Sequence, residues 1–163
     1  MKFRLEHPMP ADANTVWSII RSDEFSSQAY GSSGIHRTLE SKEVKNGKTY
    51  SVLKVVVQDP LPPMAAKVLG TSQLSLTQRQ ISDEEARVMQ WQIQIPNAEK
   101  ISAQGTFQVI TSGQTSIRIV EGEVKVKIPI VGRKAEEHIC AKLTRSYERS
   151  AQFTLEWLNK LGY

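Results

Sequence analysis

Cysteine is nearly absent from this sequence, because Cys140 is the single one among 163 residues. One thiol cannot close an internal disulfide, and it cannot supply the paired cysteines of a structural zinc site. The histidines are also few and far apart, at His7, His36 and His138. His138 and Cys140 lie two positions apart on a predicted helix, where side chains diverge by about 200°. We therefore predict no metal site and no cofactor, and interpret Cys140 as a small apolar core residue.

A strong charge of one sign and long apolar runs are lacking too. Lysine and arginine number 21 against 17 aspartates and glutamates, and a net charge of +4 does not indicate a nucleic-acid-binding protein. The apolar runs, such as 55–57, span only a few residues, whereas a membrane-spanning helix needs about 20. The charged start of the chain has no signal-peptide pattern. We expect a cytoplasmic protein that binds no nucleic acid.

Strand and helix patterns follow one another in a definite order. Residues 2–6 alternate polar and apolar, which predicts a strand, and Asp12 is placed to cap a helix through Ile20. A second short helical turn has Phe25 as its anchor, and a glycine-serine loop covers 31–34. A meander of about six strands then runs from 35 to 128, with its first hairpin at Asn46-Gly47. Helical spacing from about 132 to 161 predicts one long helix of roughly 45 Å.

The simplest way to bury these apolar faces is a curved antiparallel sheet wrapped around the long C-terminal helix. That element order resembles the helix-grip fold of the START-like (SRPBCC) superfamily, which includes START lipid-transfer domains, plant Bet v 1 proteins and polyketide cyclases. The stretch PMPADANTVW at 8–17 is similar to the opening of that superfamily. The stretch GEVKVKIPIVGRKAE at 122–136 resembles the strand–helix junction of the bacterial family DUF2505, with Arg133 in place of a second glycine. We predict one α+β domain over 1–163.

In helix-grip proteins the space between the sheet and the long helix is often a cavity. An apolar cavity binds ligands by burial, at about 25 cal/mol per Å². We therefore predict binding of a hydrophobic small molecule or lipid without covalent chemistry, with transport of that ligand as one use. The predicted ligand-binding residues are Tyr50, Met89, Trp91, Ile93, Phe107, Arg118, Leu143 and Tyr147. The same apolar stripe also suits a filled core.

Arg118 is the one ionic residue in the apolar stretch 117–120. We expect it on the outer face of the sheet. With the register shifted by one residue it would point inward, where it would anchor an anionic head group.

The stretch 59–70 is apolar and rich in proline, although connections between strands are usually polar. Its prolines exclude a central strand and leave a rigid loop with one helical turn over 64–69. The loop is interpreted as a lid over the cavity or as a transient contact with a membrane or partner. Its contact residues would be Leu61, Met64, Val68 and Leu69. Alternatively, the loop folds back to cover the sheet edge.

The sequence contains no catalytic motif, so we assign no catalytic residue. A cyclase or hydrolase of the same superfamily is one alternative, and it would need inward polar groups such as His36 or Glu40. A protein-interaction module is another, and it would need a filled core with the 60–69 loop exposed. The ligand, the oligomeric state and any catalysis are left open by the sequence.

Overall fold

The structure is a computed structural model that describes residues 1–31 and 34–163. The loop predicted over 31–34 includes Ser32 and Ser33, which lie outside the described residues. The elements are, in chain order, β1 (Lys2–Met9), α1 (Ala13–Arg21), α2 (Asp23–Gly31), β2 (Ile35–Lys45), β3 (Lys48–Pro60), α3 (Pro63–Leu69), β4 (Gln73–Asp83), β5 (Val88–Gln94), β6 (Ile101–Ser112), β7 (Thr115–Val126) and α4 (Gly132–Lys160).

The strands form a seven-stranded antiparallel sheet in the order β1-β7-β6-β5-β4-β3-β2. Strands β2 to β7 are the predicted meander, and β1 closes the other end by pairing with β7. The hairpin between β2 and β3 turns at Asn46-Gly47, where both residues have positive φ, as a tight two-residue turn requires. The predicted α+β fold, with a sheet and a long terminal helix, is confirmed.

The long helix α4 has 29 residues and is therefore about 44 Å long. It packs mainly against β7 and β1, at one edge of the sheet, and also contacts α1. The face of the sheet turned toward α4 is called the inner face below. The core contains Trp91 and Val124 from that face and Cys140, Ala151 and Leu158 from α4. The predicted core position of Cys140 is confirmed.

The two N-terminal helices form as expected. The Asp12 side chain accepts hydrogen bonds from the backbone N–H groups of Asn14 and Thr15, each at 3.0 Å, and so caps α1. Phe25 of α2 is buried against two rings of α4, with centroids 5.2 Å from Phe153 and 5.8 Å from Trp157. These ring contacts fix α2 on the C-terminal half of α4.

Helix α3 includes the predicted helical turn and ends at Gly70, whose φ of 67° suits glycine. None of its residues is buried. Over the described residues, no helix combines the length and the hydropathy needed to cross a bilayer.

Candidate functional site

The inner face of the sheet is covered unevenly. Helix α4 lies over β7 and β1, whereas the strands farther from that edge carry apolar side chains that stay half-buried. These are Leu53 on β3, Leu76 on β4 and Ile93 on β5, all on the inner face by their register with Trp91. The accessible part of the inner face lies beside α4 and combines these apolar side chains with the half-buried Gln78.

Three rings form an aromatic cluster (Phe3, Trp91 and Tyr147) between the sheet and α4. Their centroids are 6.4 Å apart for Phe3 and Trp91, 6.0 Å for Trp91 and Tyr147, and 6.3 Å for Phe3 and Tyr147. The spacing is typical of interacting aromatic pairs. The cluster joins β1, β5 and α4 at the middle of the inner face.

Two paired glycines make room for the aromatic cluster. Gly105 and Gly122 lie opposite each other on β6 and β7. A Cβ atom on Gly122 would lie 2.6 Å from the Phe3 ring and 2.9 Å from Trp91, and one on Gly105 would lie 2.7 Å from Trp91. The rings therefore lie directly on bare backbone, and any side chain at Gly122 would displace them.

Arg118 of β7 points inward and is only 1% exposed. Its Nη2 donates a hydrogen bond to the Tyr147 carbonyl oxygen at 3.3 Å, and its guanidinium lies 5.0 Å from the centre of the Phe107 ring. Its Nε and Nη1 are buried and have no hydrogen-bond partner among residues 1–31 and 34–163. Burial lowers the pKa of Arg118 to about 10, so the group is still charged at neutral pH.

The expected outward position of Arg118 is therefore wrong. In β7 the even-numbered residues face inward, and Arg118 belongs to that set together with Val120 and Val124, which are fully buried. An arginine in an apolar strand pattern is ordinarily assigned to the solvent side, because a buried charge is costly. The opposing signal lies farther along β7, where the charged Glu123 and Lys125 alternate with the inward Val124, so that counting back in steps of two turns Arg118 inward.

A second guanidinium approaches from the opposite end of the inner face. Arg37 of β2 donates from Nη2 to Gln78 Oε1 at 3.0 Å, and it lies 4.4 Å from the centre of the Tyr30 ring. Tyr147 is within electrostatic range of both Arg37 and Arg118, while burial raises the pKa of its hydroxyl. The inner face therefore carries two inward arginines, Arg118 on β7 next to the edge strand β1 and Arg37 on the opposite edge strand β2.

His7 lies opposite Arg118 in the register of β1 with β7. Its Nε2 is 3.2 Å from Glu148 Oε2, and its buried Nδ1 has no partner in the part of the chain that the structure describes. Burial and the neighbouring Arg118 lower the pKa of His7, although the Glu148 contact opposes this. His7 and the charged Arg118 therefore lie side by side on the inner face, and their proximity disfavours protonation of the imidazole.

The structure brings most of the predicted ligand-binding residues to one side. Met89, Trp91, Ile93, Phe107, Leu143 and Tyr147 belong to the core cluster or pack against it. Phe3 is not among the predicted residues, although the alternation of β1 places it on the same face. The inward position predicted for Tyr50 is wrong: it is 40% exposed on the outer face, because its neighbours Thr49 and Ser51 occupy the inner one.

The outer face carries a separate groove of about 1210 Å³ that crosses all seven strands. Its walls include outward side chains such as Tyr50, Arg79, Gln92 and Gln104. This groove is rich in polar side chains and lies on the side of the sheet away from α4. It is therefore distinct from the inner face described above.

The predicted loop residues, and the two side chains named for the enzyme alternative, are exposed to different degrees. Met64 is 71% and Val68 55% exposed, while Leu61 and Leu69 are half-buried. His36 and Glu40 are exposed, so neither is an inward polar group.

Within the described ranges, no group of three or more histidine, cysteine or acidic side chains is placed to hold a metal ion. The site therefore consists of the apolar inner face, the aromatic cluster and the two inward arginines, of which Arg118 is buried and Arg37 half-buried.

A curved antiparallel sheet with a long helix across its inner face defines the helix-grip class. Similar solved structures support the assignment of this chain to that class. The chain is similar to TTHA0849 from Thermus thermophilus, with 14% identity, full coverage of both chains and a TM-score of 0.67. It is also similar to the Zhui aromatase/cyclase from Streptomyces sp. R1128, with 14% identity, 100% and 97% coverage and a TM-score of 0.66. Ara h 8.0201 gives 12% identity, 96% and 98% coverage and a TM-score of 0.63.

The chain belongs to the family described as "Protein of unknown function (DUF2505)", whose model matches residues 4–158. The predicted resemblance to DUF2505 is thereby confirmed, and the predicted helix-grip fold agrees with these solved structures. A direct comparison with curated proteins gives no match. The structural similarities, at these identities, concern the fold.

Proposed function

We propose that this protein binds a hydrophobic small molecule or lipid between the inner face of the sheet and α4, without covalent chemistry. The observation that carries the proposal is the aromatic cluster between the sheet and α4. Beside this cluster, half-buried apolar side chains lie on the part of the inner face that α4 leaves less covered. An apolar ligand there would gain about 25 cal/mol for each Å² removed from water. Two neighbours with the same fold carry names that imply small-molecule substrates, the Zhui aromatase/cyclase and a norcoclaurine synthase.

Helix α3 is proposed as the lid or the membrane contact of this site. Met64 and Val68 present apolar surface to solvent on an element without buried residues, and Leu61 and Leu69 lie at its two ends. If α3 gates the site, replacing Met64 and Val68 by serine will change the rates of ligand entry and exit and leave the equilibrium affinity nearly unchanged. An affinity change with unaltered rates of entry would contradict the gating role.

The two side chains named for the enzyme alternative, His36 and Glu40, are exposed and therefore do not support it. The interaction-module alternative depends on whether the inner face admits a ligand at all. Native mass spectrometry of the purified protein, followed by solvent extraction, addresses this point first. A co-purifying apolar molecule supports the binding function. A protein mass without any bound molecule favours the interaction-module alternative, with α3 as the contact surface for another protein.

A titration with the neutral fluorescent probe N-phenyl-1-naphthylamine tests the site itself. Trp91→Ala should weaken probe binding, because the indole forms the middle of the aromatic cluster. Lys125→Ala is the control, since Lys125 is exposed on the outer side of β7. Because Trp91 is buried, Leu143→Trp provides a second variant that fills the space from α4 rather than emptying it. Equal binding by all four proteins would refute the assignment to this face.

A further inference from the structure

We infer that Arg118 is the receptor for an anionic oxygen group on the ligand, so that the ligand is an amphipathic acid with an apolar body. This inference rests on the proposed function, because it concerns the chemistry of the same ligand. The shared chemistry is a carboxylate or a phosphate attached to a hydrocarbon, as in a fatty acid or a lysophospholipid.

The first argument is the missing counter-charge. Arg118 is almost completely buried, and no ion pair to it occurs in the described part of the chain. A buried charge is costly unless it is paired and fully hydrogen-bonded. The carboxylate in its electrostatic range, Glu148, is 58% exposed and contacts His7 instead.

The second argument is the set of unused donors. A guanidinium has five N–H bonds in a fixed plane, and within the described residues only Nη2 of Arg118 has an acceptor, the Tyr147 carbonyl oxygen. The buried Nε and Nη1 are left for an acceptor that residues 1–31 and 34–163 do not supply. Anionic oxygens match guanidinium geometry and form its strongest hydrogen bonds.

The third argument is the surroundings of the unused donors. Phe107 lies against the guanidinium, and Tyr147 connects it to the aromatic cluster that would receive the apolar body. Arg37 of β2 adds a second positive charge within electrostatic range of Tyr147, whereas burial and Arg118 lower the pKa of His7 on β1. Two inward guanidinium groups therefore lie on the inner face together with an aromatic surface.

The test compares ligands that differ only in the head group: oleate, oleyl alcohol and oleoyl lysophosphatidate, each displacing N-phenyl-1-naphthylamine. The wild-type protein should bind one of the two anions at least about tenfold more tightly than the alcohol. The anion with the higher affinity identifies the head group as carboxylate or phosphate. Equal affinity for all three would overturn the role of Arg118 while leaving apolar binding intact. No binding of any probe would refute the proposed function itself.

The variant Arg118→Met removes the charge and keeps the length of the side chain. It should abolish the preference for the anion and leave alcohol binding within about threefold, whereas Arg79→Met, on the outer face, should change neither. A purely structural role predicts the opposite pattern, with loss of folding and equal loss of all ligands. Arg118→Lys keeps the charge and should retain part of the anion preference, and its failure to do so in a folded protein would contradict an electrostatic anchor.

Discussion

Replacing Gly122 by alanine should destabilise the protein through the aromatic cluster. The new methyl group would start 2.6 Å from the Phe3 ring and 2.9 Å from Trp91, closer than unbonded carbon atoms approach. Phe3 and Trp91 also stack on each other, so neither ring can move without disturbing the other. Overpacking of this kind costs about 1–3 kcal/mol, which corresponds to a decrease in Tm of roughly 2–12 °C for a domain of this size.

Urea denaturation followed by tryptophan fluorescence measures the free energy of unfolding directly. Gly31→Ala is the matched control, because a Cβ atom there meets nothing within 4 Å and the change should stay within about 0.5 kcal/mol or stabilise slightly. Combining Gly122→Ala with Phe3→Leu should give a double-mutant coupling in the favourable direction, since the smaller side chain relieves the overlap. Strict additivity, or a cost for Gly122→Ala equal to that of the control, would refute the reasoning.

Two further predictions concern α2 and pH. Phe25→Ala should cost about 3–5 kcal/mol by urea denaturation, because Phe25 is buried against Phe153 and Trp157, and a loss below about 1 kcal/mol would mean that α2 is not held by these rings. The pKa of His7 is lowered below its ordinary value of 6.5 by burial and by Arg118, so the unfolded chain binds more protons and stability falls as the pH decreases below about 6.5. The Tm of the His7→Gln variant should fall less between about pH 7 and pH 5, and identical slopes would contradict this assignment.

The order and type of the helices and strands follow from local patterns in the sequence. Alternation on β5 separates Trp91 from its glutamine neighbours, and helical spacing from Gly132 onward requires a broad apolar partner. Asp12 and Asn46-Gly47 mark a helix start and a hairpin by local hydrogen bonding and backbone preference. Each of these signals depends on residues close together in the chain, which explains why the order and type of the elements could be predicted.

The site depends on register, which local patterns specify less well. In β3 the polar Thr49 and Ser51 face inward while Tyr50 faces out, so hydrophobicity assigns the wrong face. A shift of one residue inverts every side chain of a strand, and the pairing partners that settle it are distant in sequence. Phe3 and Gly122 illustrate this, because their contact joins the two ends of the chain across the β1–β7 pair.

The position of Arg118 connects the fold to the proposed ligand. Helix α4 covers β7 and thereby excludes water from Arg118, while its Tyr147 carbonyl satisfies only one of the guanidinium nitrogens. If the interior were a filled core, an apolar residue at position 118 would stabilise the folded state more than a buried charge with unused hydrogen-bond donors. A bound molecule that supplies the missing acceptors would offset the cost of burying the arginine. Binding is then strongest for a ligand that combines an anionic group with an apolar body. The same reasoning predicts that Arg118→Met raises the stability of the ligand-free protein, and a marked decrease in its Tm would show that Arg118 serves the fold instead.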